Sequence, residues 1–215
     1  MVEQKIIFND GAAYEQMMGV WSRFAGEDFL AWWGPSPGLR WVDIGCGNGA
    51  FTELLVERCS PVEVQGIDPS DGQLAFARTR PGCRPAIFQQ GDAMALPFAD
   101  GCFDAAVMAL VLVFVPDPAK GVSEMVRVVR PGGTVAAYAW DMFGGGFPLN
   151  SFQIELEAMG IVRPPIPSAD ASRMNVLQEL WADHGLEAIE TRKIEIQRTL
   201  ADFDDGLMEA LLMDE

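Results

Sequence analysis

This chain of 215 residues has very little histidine and no cysteine motif typical of metal binding. Both features limit the metal ions that it could bind. The only histidine is His184. The four cysteines form no Cys-x-x-Cys pair, so the sequence predicts no metal site. We expect their thiols to be free and the protein to lie in the reducing cytoplasm. These cysteines are Cys46, Cys59, Cys83 and Cys102.

Positive charge is also in short supply. The chain has 15 Lys and Arg against 31 Asp and Glu, a net charge of −16, which repels phosphate backbones and makes nucleic acid an unexpected partner. The longest apolar run, residues 105–115, is shorter than the roughly 20 residues that cross a bilayer. Residues 1–5 lack the charged start and apolar stretch of a signal peptide. The composition therefore predicts one globular domain with no membrane partner.

Strand-like and helix-like segments alternate through the first two thirds of the chain. Strands are predicted over 39–44, 62–67, 85–90, 103–113 and 134–140, and helices over 11–33, 50–59, 71–78 and from Asp117 onwards. This alternation predicts an α/β fold: a Rossmann-like three-layer sandwich whose mostly parallel sheet carries helices on both faces. Ligands of such sheets bind at the carboxyl ends of the strands.

The last third has a different pattern. Residues 141–185 contain glycine and proline clusters around two predicted helices, 152–159 and 170–184, whereas residues 186–197 favour a sixth strand. The chain is thus divided into a helical cap (1–38), a cofactor-binding core (39–140), a helical insertion or lid (141–185), and a C-terminal strand and helix (186–215).

The first predicted strand ends in a glycine-rich loop, Gly45-Cys46-Gly47-Asn48-Gly49, which opens a helix. Glycines let a ligand lie against the backbone, and a helix N-terminus offers free N–H groups. The spacing is GxGxG rather than the GxGxxG of dinucleotide sites. Asp43 lies just before the loop, and its negative charge disfavours a pyrophosphate and favours a cation.

Two further acidic residues follow the next strands. Asp68 lies 19 residues after Gly49, a distance typical of a carboxylate that binds both ribose hydroxyls. Its alternative role is a helix cap, but Ser70 or Asp71 can serve that purpose instead. Asp92 can accept a hydrogen bond from an exocyclic amine such as adenine N6, or it can belong to an ordinary turn.

These motifs occur in a familiar order. The segments 42–49, 66–70, 91–98, 103–104 and 130–133 resemble those of class I S-adenosylmethionine-dependent methyltransferases, in the branch that acts on small molecules. The resemblance covers residues 10–140. It implies methyl transfer from S-adenosylmethionine to a small acceptor, with S-adenosylhomocysteine as the product.

The resemblance also implies how the cofactor is held. The glycine-rich loop would face its methionine part, Asp43 its ammonium group, Asp68 its ribose, and Asp92 with the Ala93 backbone its adenine. Met108 would pass close to the sulfonium, and Trp21, with Tyr14, would close over the cofactor; core packing is the alternative for Trp21. The predicted cofactor residues are Asp43, Gly45, Cys46, Gly47, Asp68, Pro69, Ser70, Asp92, Ala93, Met108 and Trp21.

No catalytic base is identified. Relatives often carry histidine after the fourth strand, where this chain has Val113 and Phe114. His184 precedes Gly185 at a predicted helix end, where it is expected to interact with the last carbonyl groups. We therefore hypothesise that the acceptor is itself a sufficient nucleophile, with Tyr138 or Asp141 as its polar partner.

The acceptor pocket is expected between the N-terminal helices and the insertion. Aromatic and apolar residues there predict a hydrophobic or aromatic acceptor, with ordinary core packing as the alternative; they are Trp140, Phe143, Phe147, Phe152 and Met159. Two other functions stay open: a nicotinamide-dependent enzyme, and a cofactor-binding module without turnover. Sheets of this family end with two more strands, of which only the sixth is identified here. We expect either truncation or an early end of the sheet, and a monomer or a homodimer.

Overall fold

The computed structural model describes residues 15–161 and 165–198, without the side chains of Gln16, Met17 and Phe152. Tyr14 and the stretch 199–215, for which the sequence suggested a cofactor lid and a helix, lie outside the described residues. Within the described part of the chain, none of the helices has both the length and the apolar character needed to cross a bilayer.

Five strands form a single sheet in the order β3-β2-β1-β4-β5. Every neighbouring pair is parallel, which confirms the predicted α/β fold. The order reverses between β1 and β4, so the loops after these strands diverge and leave a crevice at the carboxyl edge. The strands are β1 (Arg40–Ile44), β2 (Glu63–Asp68), β3 (Ile87–Gln90), β4 (Phe103–Ala109) and β5 (Val129–Tyr138).

Six α-helices surround this sheet in the described residues. They are α1 (Val20–Trp33), α2 (Ala50–Cys59), α3 (Asp71–Ala77), α4 (Pro118–Val128), α5 (Asn150–Ala158) and α6 (Met174–Asp183). A π-helical turn, Glu15–Gly19, leads into α1. The start of α4 shows why helices begin where the sequence predicts: Asp117 accepts from the Lys120 N–H at 3.0 Å, and Pro118 occupies the first turn.

The core consists of two main apolar clusters, one on each face of the sheet. Val42 and Ile44 of β1 pack with Met108 in one cluster, whereas Trp41 packs with Leu54 in the other. Successive residues of a strand point to opposite faces, so β1 and β4 feed both clusters in alternation. This double burial explains why β4 is apolar at every position except Asp104, and why three of the five residues of β1 are apolar.

Three predicted boundaries are wrong. The strand predicted over 103–113 ends at Ala109, because Leu110 has a φ of +63° and turns the chain into a 3-10 turn, Leu112–Phe114. Residues 130–133, expected to form a turn, belong to β5, and the pairing register shifts between Phe103 and Ala105 instead. The helix predicted over 170–184 is split into a 3-10 turn, Ala169–Ser172, and α6.

The predicted sixth strand is also wrong. Residues 186–197 run past β5 without any strand pairing in the described structure. A cavity of about 530 Å³ lies between residues 190–197 and the end of β5. The segment and the end of β5 thus lie on the walls of one cavity and are not joined by strand hydrogen bonds in the described structure. We call this space the second cavity.

The two isoleucines Ile44 and Ile87 give a direct test of the core. Ile44 is fully buried in β1, whereas Ile87 in β3 is 56% exposed. We expect Ile44→Ala to lower the free energy of unfolding by about 2–5 kcal/mol, since it removes apolar contacts and leaves a void. Ile87→Ala should cost less than about 1 kcal/mol. Urea denaturation measures both, and equal losses would contradict the assigned orientation of β1.

Candidate cofactor site

A cavity of about 160 Å³ opens at the carboxyl ends of the strands. Its walls come from the glycine-rich loop, from the loops after β2, β3 and β4, from the end of β5 and from α1. We call it the first cavity. Eight of the residues predicted from the sequence line it: Asp43, Gly45, Cys46, Gly47, Asp68, Pro69, Asp92 and Ala93. The topology therefore brings four separate loops to one place.

The glycine-rich loop is held tightly against β2. The N–H groups of Gly45 and Cys46 both donate to the Ile67 carbonyl, at 2.7 and 2.9 Å. Gly45 has a φ of +74°, and a Cβ placed on it would lie 2.5 Å from the Val111 side chain. Glycine is required here for both its φ and its small size. The loop therefore presents bare backbone to the cavity.

A polar network fastens this loop to the N-terminal turn. Glu15 accepts from the Asn48 side-chain amide at 2.7 Å and also pairs with Arg80. The Arg80 Nε donates to the Asn48 carbonyl at 2.7 Å, and its Nη1 to Glu53 Oε2 at 3.0 Å. Because the Arg80 side chain is only 12% exposed, these contacts are shielded from water. The network therefore fixes the loop from outside the cavity.

Asp43 carries a buried carboxylate at the centre of the sheet. It pairs with Gly66 of β2 and Val107 of β4, and the residue is 0% exposed. The Thr52 hydroxyl donates to Oδ2 at 2.6 Å, whereas Oδ1 has no hydrogen-bond partner among the described residues. Burial raises the pKa of Asp43 to about 7, although the Thr52 hydrogen bond opposes the shift. The site thus holds an acceptor oxygen that still needs a donor or a cation.

Asp68 is aimed by two backbone donors. The Gly47 N–H donates to Oδ2 at 2.9 Å, and the Ser70 N–H to Oδ1 at 2.8 Å. Burial raises the pKa of this carboxyl, and the two N–H groups oppose that shift. Each carboxylate oxygen has a second lone pair that can accept another hydrogen bond. Asp68 is therefore oriented to take two hydroxyl donors from the cavity.

The charge of the cavity wall has one sign. Asp43, Asp68 and Asp92 line the first cavity, and no lysine or arginine of the described chain does. Such a wall repels a diphosphate and attracts a cation. Asp92 also stabilises its own turn, because Oδ1 accepts from the Met94 N–H at 2.9 Å. Asp92 therefore stabilises a turn and also lines the cavity, so the two predicted roles are compatible.

Three predicted residues lie outside the wall of the first cavity. Ser70 caps α3 by accepting from the Gln73 N–H. Met108 is fully buried in the core, because it points to the opposite face of β4 from Ala109, which does line the cavity. Trp21 packs with Met18 in a small apolar cluster. Trp21 therefore contributes to core packing in this structure, as the alternative prediction stated.

Sequence reasoning missed two buried polar residues of this wall. Ser22 is 8% exposed and Gln73 is 3% exposed, and both have a side-chain oxygen without a hydrogen-bond partner among the described residues. Ser22 interrupts the buried face of α1 between Met18 and Ala25, which is a signal that the sequence contained. Gln73 gives no comparable signal, since polar residues are common in a first helical turn.

The second cavity adjoins the first through shared wall residues, Leu110 and Tyr138. Its lining includes Phe29, Trp32 and Trp181. Of the aromatic residues predicted to line an acceptor pocket, Trp140 does so. Phe147 packs with Met18 instead, and Phe143 and Met159 are 50% and 75% exposed. The side chain of Phe152 is not described.

His184 lies at the end of α6, away from both cavity walls. Its Nδ1 is 2.7 Å from the Leu180 carbonyl oxygen. The predicted interaction of this histidine with the last helical carbonyls is therefore confirmed. The described walls of the two cavities contain no histidine.

Comparison with known proteins connects this geometry to a family. Residues 42–137 match the methyltransferase domain family. The chain carries a class I S-adenosylmethionine-dependent methyltransferase domain. The resemblance drawn from the ordered motifs is thus confirmed, and S-adenosylmethionine is the cofactor of this domain family.

Two curated relatives and one solved structure show where the similarity lies. The chain is 41% identical over 106 residues to demethylmenaquinone methyltransferase of Desulfitobacterium hafniense, covering 47% of this chain and 42% of that one. It is 40% identical over 95 residues to 2-methyl-6-phytyl-1,4-hydroquinone methyltransferase 2, chloroplastic, of rice, covering 44% and 27%. The matched region therefore spans less than half of either relative.

The structural similarity extends further along the chain. Phospholethanolamine N-methyltransferase 2 of Haemonchus contortus, solved with phosphomonomethylethanolamine and S-adenosylhomocysteine, aligns with a TM-score of 0.63 and 23% identity. The alignment covers 83% of this chain and 41% of that one. At this identity the likeness establishes the shared fold.

The buried Asp43 makes stability depend on pH. The folded protein binds the Asp43 proton more tightly than the unfolded chain does, because the pKa rises from 3.8 to about 7 on folding. The stabilising effect of this proton is therefore fully present near pH 4 and is lost as the pH rises to about 7. Asn cannot ionise, so the free energy of unfolding of Asp43→Asn should not fall with this titration. As the pH rises from 4 to 7, we expect the difference between this variant and the wild type to shift in favour of the variant by on the order of 2–4 kcal/mol.

Urea denaturation at pH 5, 6, 7 and 8 measures this difference. Asp100→Asn is the matched control, since the Asp100 side chain is 81% exposed. A stability difference between Asp43→Asn and the wild type that stays constant with pH would show that Asp43 does not titrate as inferred.

Proposed function

We propose that this chain transfers a methyl group from S-adenosylmethionine to a small apolar, aromatic acceptor. The observation that carries the proposal is the wall of the first cavity, which has three carboxylates and no basic residue in the described chain. S-Adenosylmethionine is a cationic nucleoside without a diphosphate, and these charges match it. The same wall argues against a nicotinamide dinucleotide, whose two phosphates would face the aspartates.

Each part of the cofactor has a complementary group in this wall. We assign the ribose hydroxyls to Asp68, whose oxygens are already aimed by Gly47 and Ser70. The ammonium group is assigned to Asp43, whose Oδ1 lacks a partner among the described residues. The adenine is assigned to Asp92 and the Ala93 backbone. The place near the sulfonium, expected for Met108, is assigned to Ala109, which lines the first cavity.

The acceptor is assigned to the second cavity. Leu110 and Tyr138 border both cavities, so an acceptor there lies close to a cofactor in the first cavity. Aromatic side chains in the wall favour a flat apolar ring. The names of the two curated relatives specify a demethylmenaquinone and a hydroquinone as substrates. A quinol-type ring is therefore the acceptor class that we propose.

The chain's contribution to catalysis is mainly positional. When bound, S-adenosylmethionine would supply a methyl group attached to a sulfonium sulfur, which is a good leaving group. Alignment of the reacting atoms can account for roughly 7–11 kcal/mol of the barrier. With no histidine in the described walls, we propose that the acceptor is a self-sufficient nucleophile, such as a phenolate or a stabilised carbanion. Tyr138, in the shared wall, is the proposed polar partner of the ring.

We propose that residues 1–38 act as a cap, 39–140 as the cofactor-binding core, 141–185 as a lid over the acceptor, and 186–215 as a C-terminal unit. The cysteines are free in the described structure, which supports a reducing, cytoplasmic location. We also propose that the protein is a monomer or a homodimer. That it binds no nucleic acid is a further proposal, which the net charge of −16 supports.

Cofactor binding is tested by calorimetric titration with S-adenosylhomocysteine and, for comparison, with NAD. We expect a Kd near micromolar, about −8 kcal/mol, for S-adenosylhomocysteine and no binding of NAD. Asp68→Ala should weaken binding at least about 30-fold, because it removes the acceptor of the ribose hydroxyls. Asp100→Ala, at an exposed site, should bind like the wild type. Tighter binding of NAD would refute the proposal.

The acceptor assignment is tested by filling the second cavity. Ala139 lines this cavity but not the first, so Ala139→Phe should block the acceptor and leave the affinity for S-adenosylhomocysteine unchanged. We expect methyl transfer to a short-chain demethylmenaquinol to fall at least about 10-fold. Ala99→Phe, at an exposed loop position, is the matched control. Undiminished transfer by a folded Ala139→Phe variant would place the acceptor elsewhere.

A further inference from the structure

Gln73 is a buried polar residue that the proposed cofactor contacts leave unexplained. It lies in the first turn of α3 and is 3% exposed. Its side-chain Oε1 has no hydrogen-bond partner among the described residues, although the residue lines the first cavity. A buried amide oxygen without a donor is costly, so such an atom is expected to meet a donor from a ligand.

The position of Gln73 limits which donor this is. Its backbone N–H donates to the Ser70 hydroxyl, which fixes the residue beside the Asp68 loop. Its Oε1 lies 3.9 Å from the point where a Cβ on Gly47 would be. Gly47 is the residue whose N–H donates to Asp68 Oδ2. The amide therefore lies beside the glycine and the carboxylate assigned to the ribose.

The donors of S-adenosylmethionine are few and well separated. They are the ammonium group, assigned to Asp43 at the end of β1, the adenine amine, assigned to Asp92 after β3, and the two ribose hydroxyls. Only the hydroxyls lie beside Asp68. We infer that Gln73 accepts a hydrogen bond from one ribose hydroxyl and, with Asp68, makes the site selective for an intact ribose. This inference rests on the proposed function.

A neutral amide suits this place better than a second acid. The pKa of Asp68 is already raised by burial, and another carboxylate beside it would raise the cost of ionising both. The amide oxygen adds an acceptor without adding charge. A site built to hydrogen-bond a hydroxyl discriminates strongly against the analogue that lacks it, because its buried acceptor is then unpaired.

The test compares S-adenosylhomocysteine with its 2′-deoxy and 3′-deoxy analogues by calorimetry. The wild type should bind both deoxy analogues more weakly than the parent, because each lacks one hydroxyl partner of Asp68. The weakest binding is expected for the deoxy analogue that lacks the hydroxyl facing Gln73. Gln73→Met and Gln73→Leu remove the acceptor at similar volume. We expect each to weaken binding of the parent by about 2- to 10-fold and to leave binding of that deoxy analogue unchanged.

A matched control places the same substitution outside the cavity, on β2, the strand that precedes α3. Gln65→Met is chosen because Gln65 of β2 bonds Glu63 and does not line the cavity, so it should preserve the wild-type preference. Thermal denaturation checks that the variants are folded. If both Gln73 variants keep the wild-type ratio between parent and deoxy analogues, the inference is wrong. If the wild type binds none of the three nucleosides, the proposed function itself fails.

Discussion

The carboxylate of Asp43, buried on the central strand of a parallel sheet, is the constraint on which the rest of the site depends. Its two neighbours in the sheet are Gly66 and Val107, neither of which can neutralise it. Thr52 supplies one hydrogen bond, and burial raises the pKa of the carboxyl to about 7. A cation beside this carboxylate would offset the cost of burying its charge.

The glycine-rich loop lies next to Asp43 in the wall of the first cavity. It is held from below by the Ile67 carbonyl and from outside by Arg80 and Glu15. Arg80 and Glu15 do not line the first cavity, so the positive charge of Arg80 does not enter the wall. Asp68 is likewise oriented by backbone N–H groups rather than by a basic side chain. The wall thereby stays negative and its acceptors stay available.

In the proposed function, the first cavity holds the cofactor and the second cavity holds the acceptor. The first is small and acidic, and the second is larger and lined both with aromatic rings and with charged side chains of either sign. Their common wall contains Leu110, whose left-handed backbone ends β4 and turns the chain between them. A bulky residue at positive φ is strained, and such strain is often retained where a site needs a particular geometry. Reaction by alignment needs this kind of shared boundary more than it needs a base.

Local patterns in the sequence were enough for much of the fold. The alternation of strands and helices predicted the parallel sheet, and the glycines after β1 and the acids at positions 43, 68 and 92 predicted three loops around one ligand. These features follow from neighbours in sequence, from strand periodicity and from the rule that parallel strands end at one edge. The sequence also carried a signal at Ser22, a polar residue on an apolar helix face.

Long-range packing decided the remainder. Whether Met108 or Ala109 faces the ligand depends on the pairing of β4 with its two neighbours, because a shift of one residue exchanges the two faces. Residues 186–197 have a strand-like pattern, but a pattern becomes a strand only where another edge lies within hydrogen-bonding distance. Nothing in the local sequence distinguishes Gln73 from other polar helix residues. Its importance comes from folding, which buries its amide beside Gly47 and Asp68. Patterns of neighbouring residues specify the fold class, the acidic character of the site and the loops that build it. Packing selects the side chains that face the first cavity, because that choice depends on contacts between residues far apart in the chain.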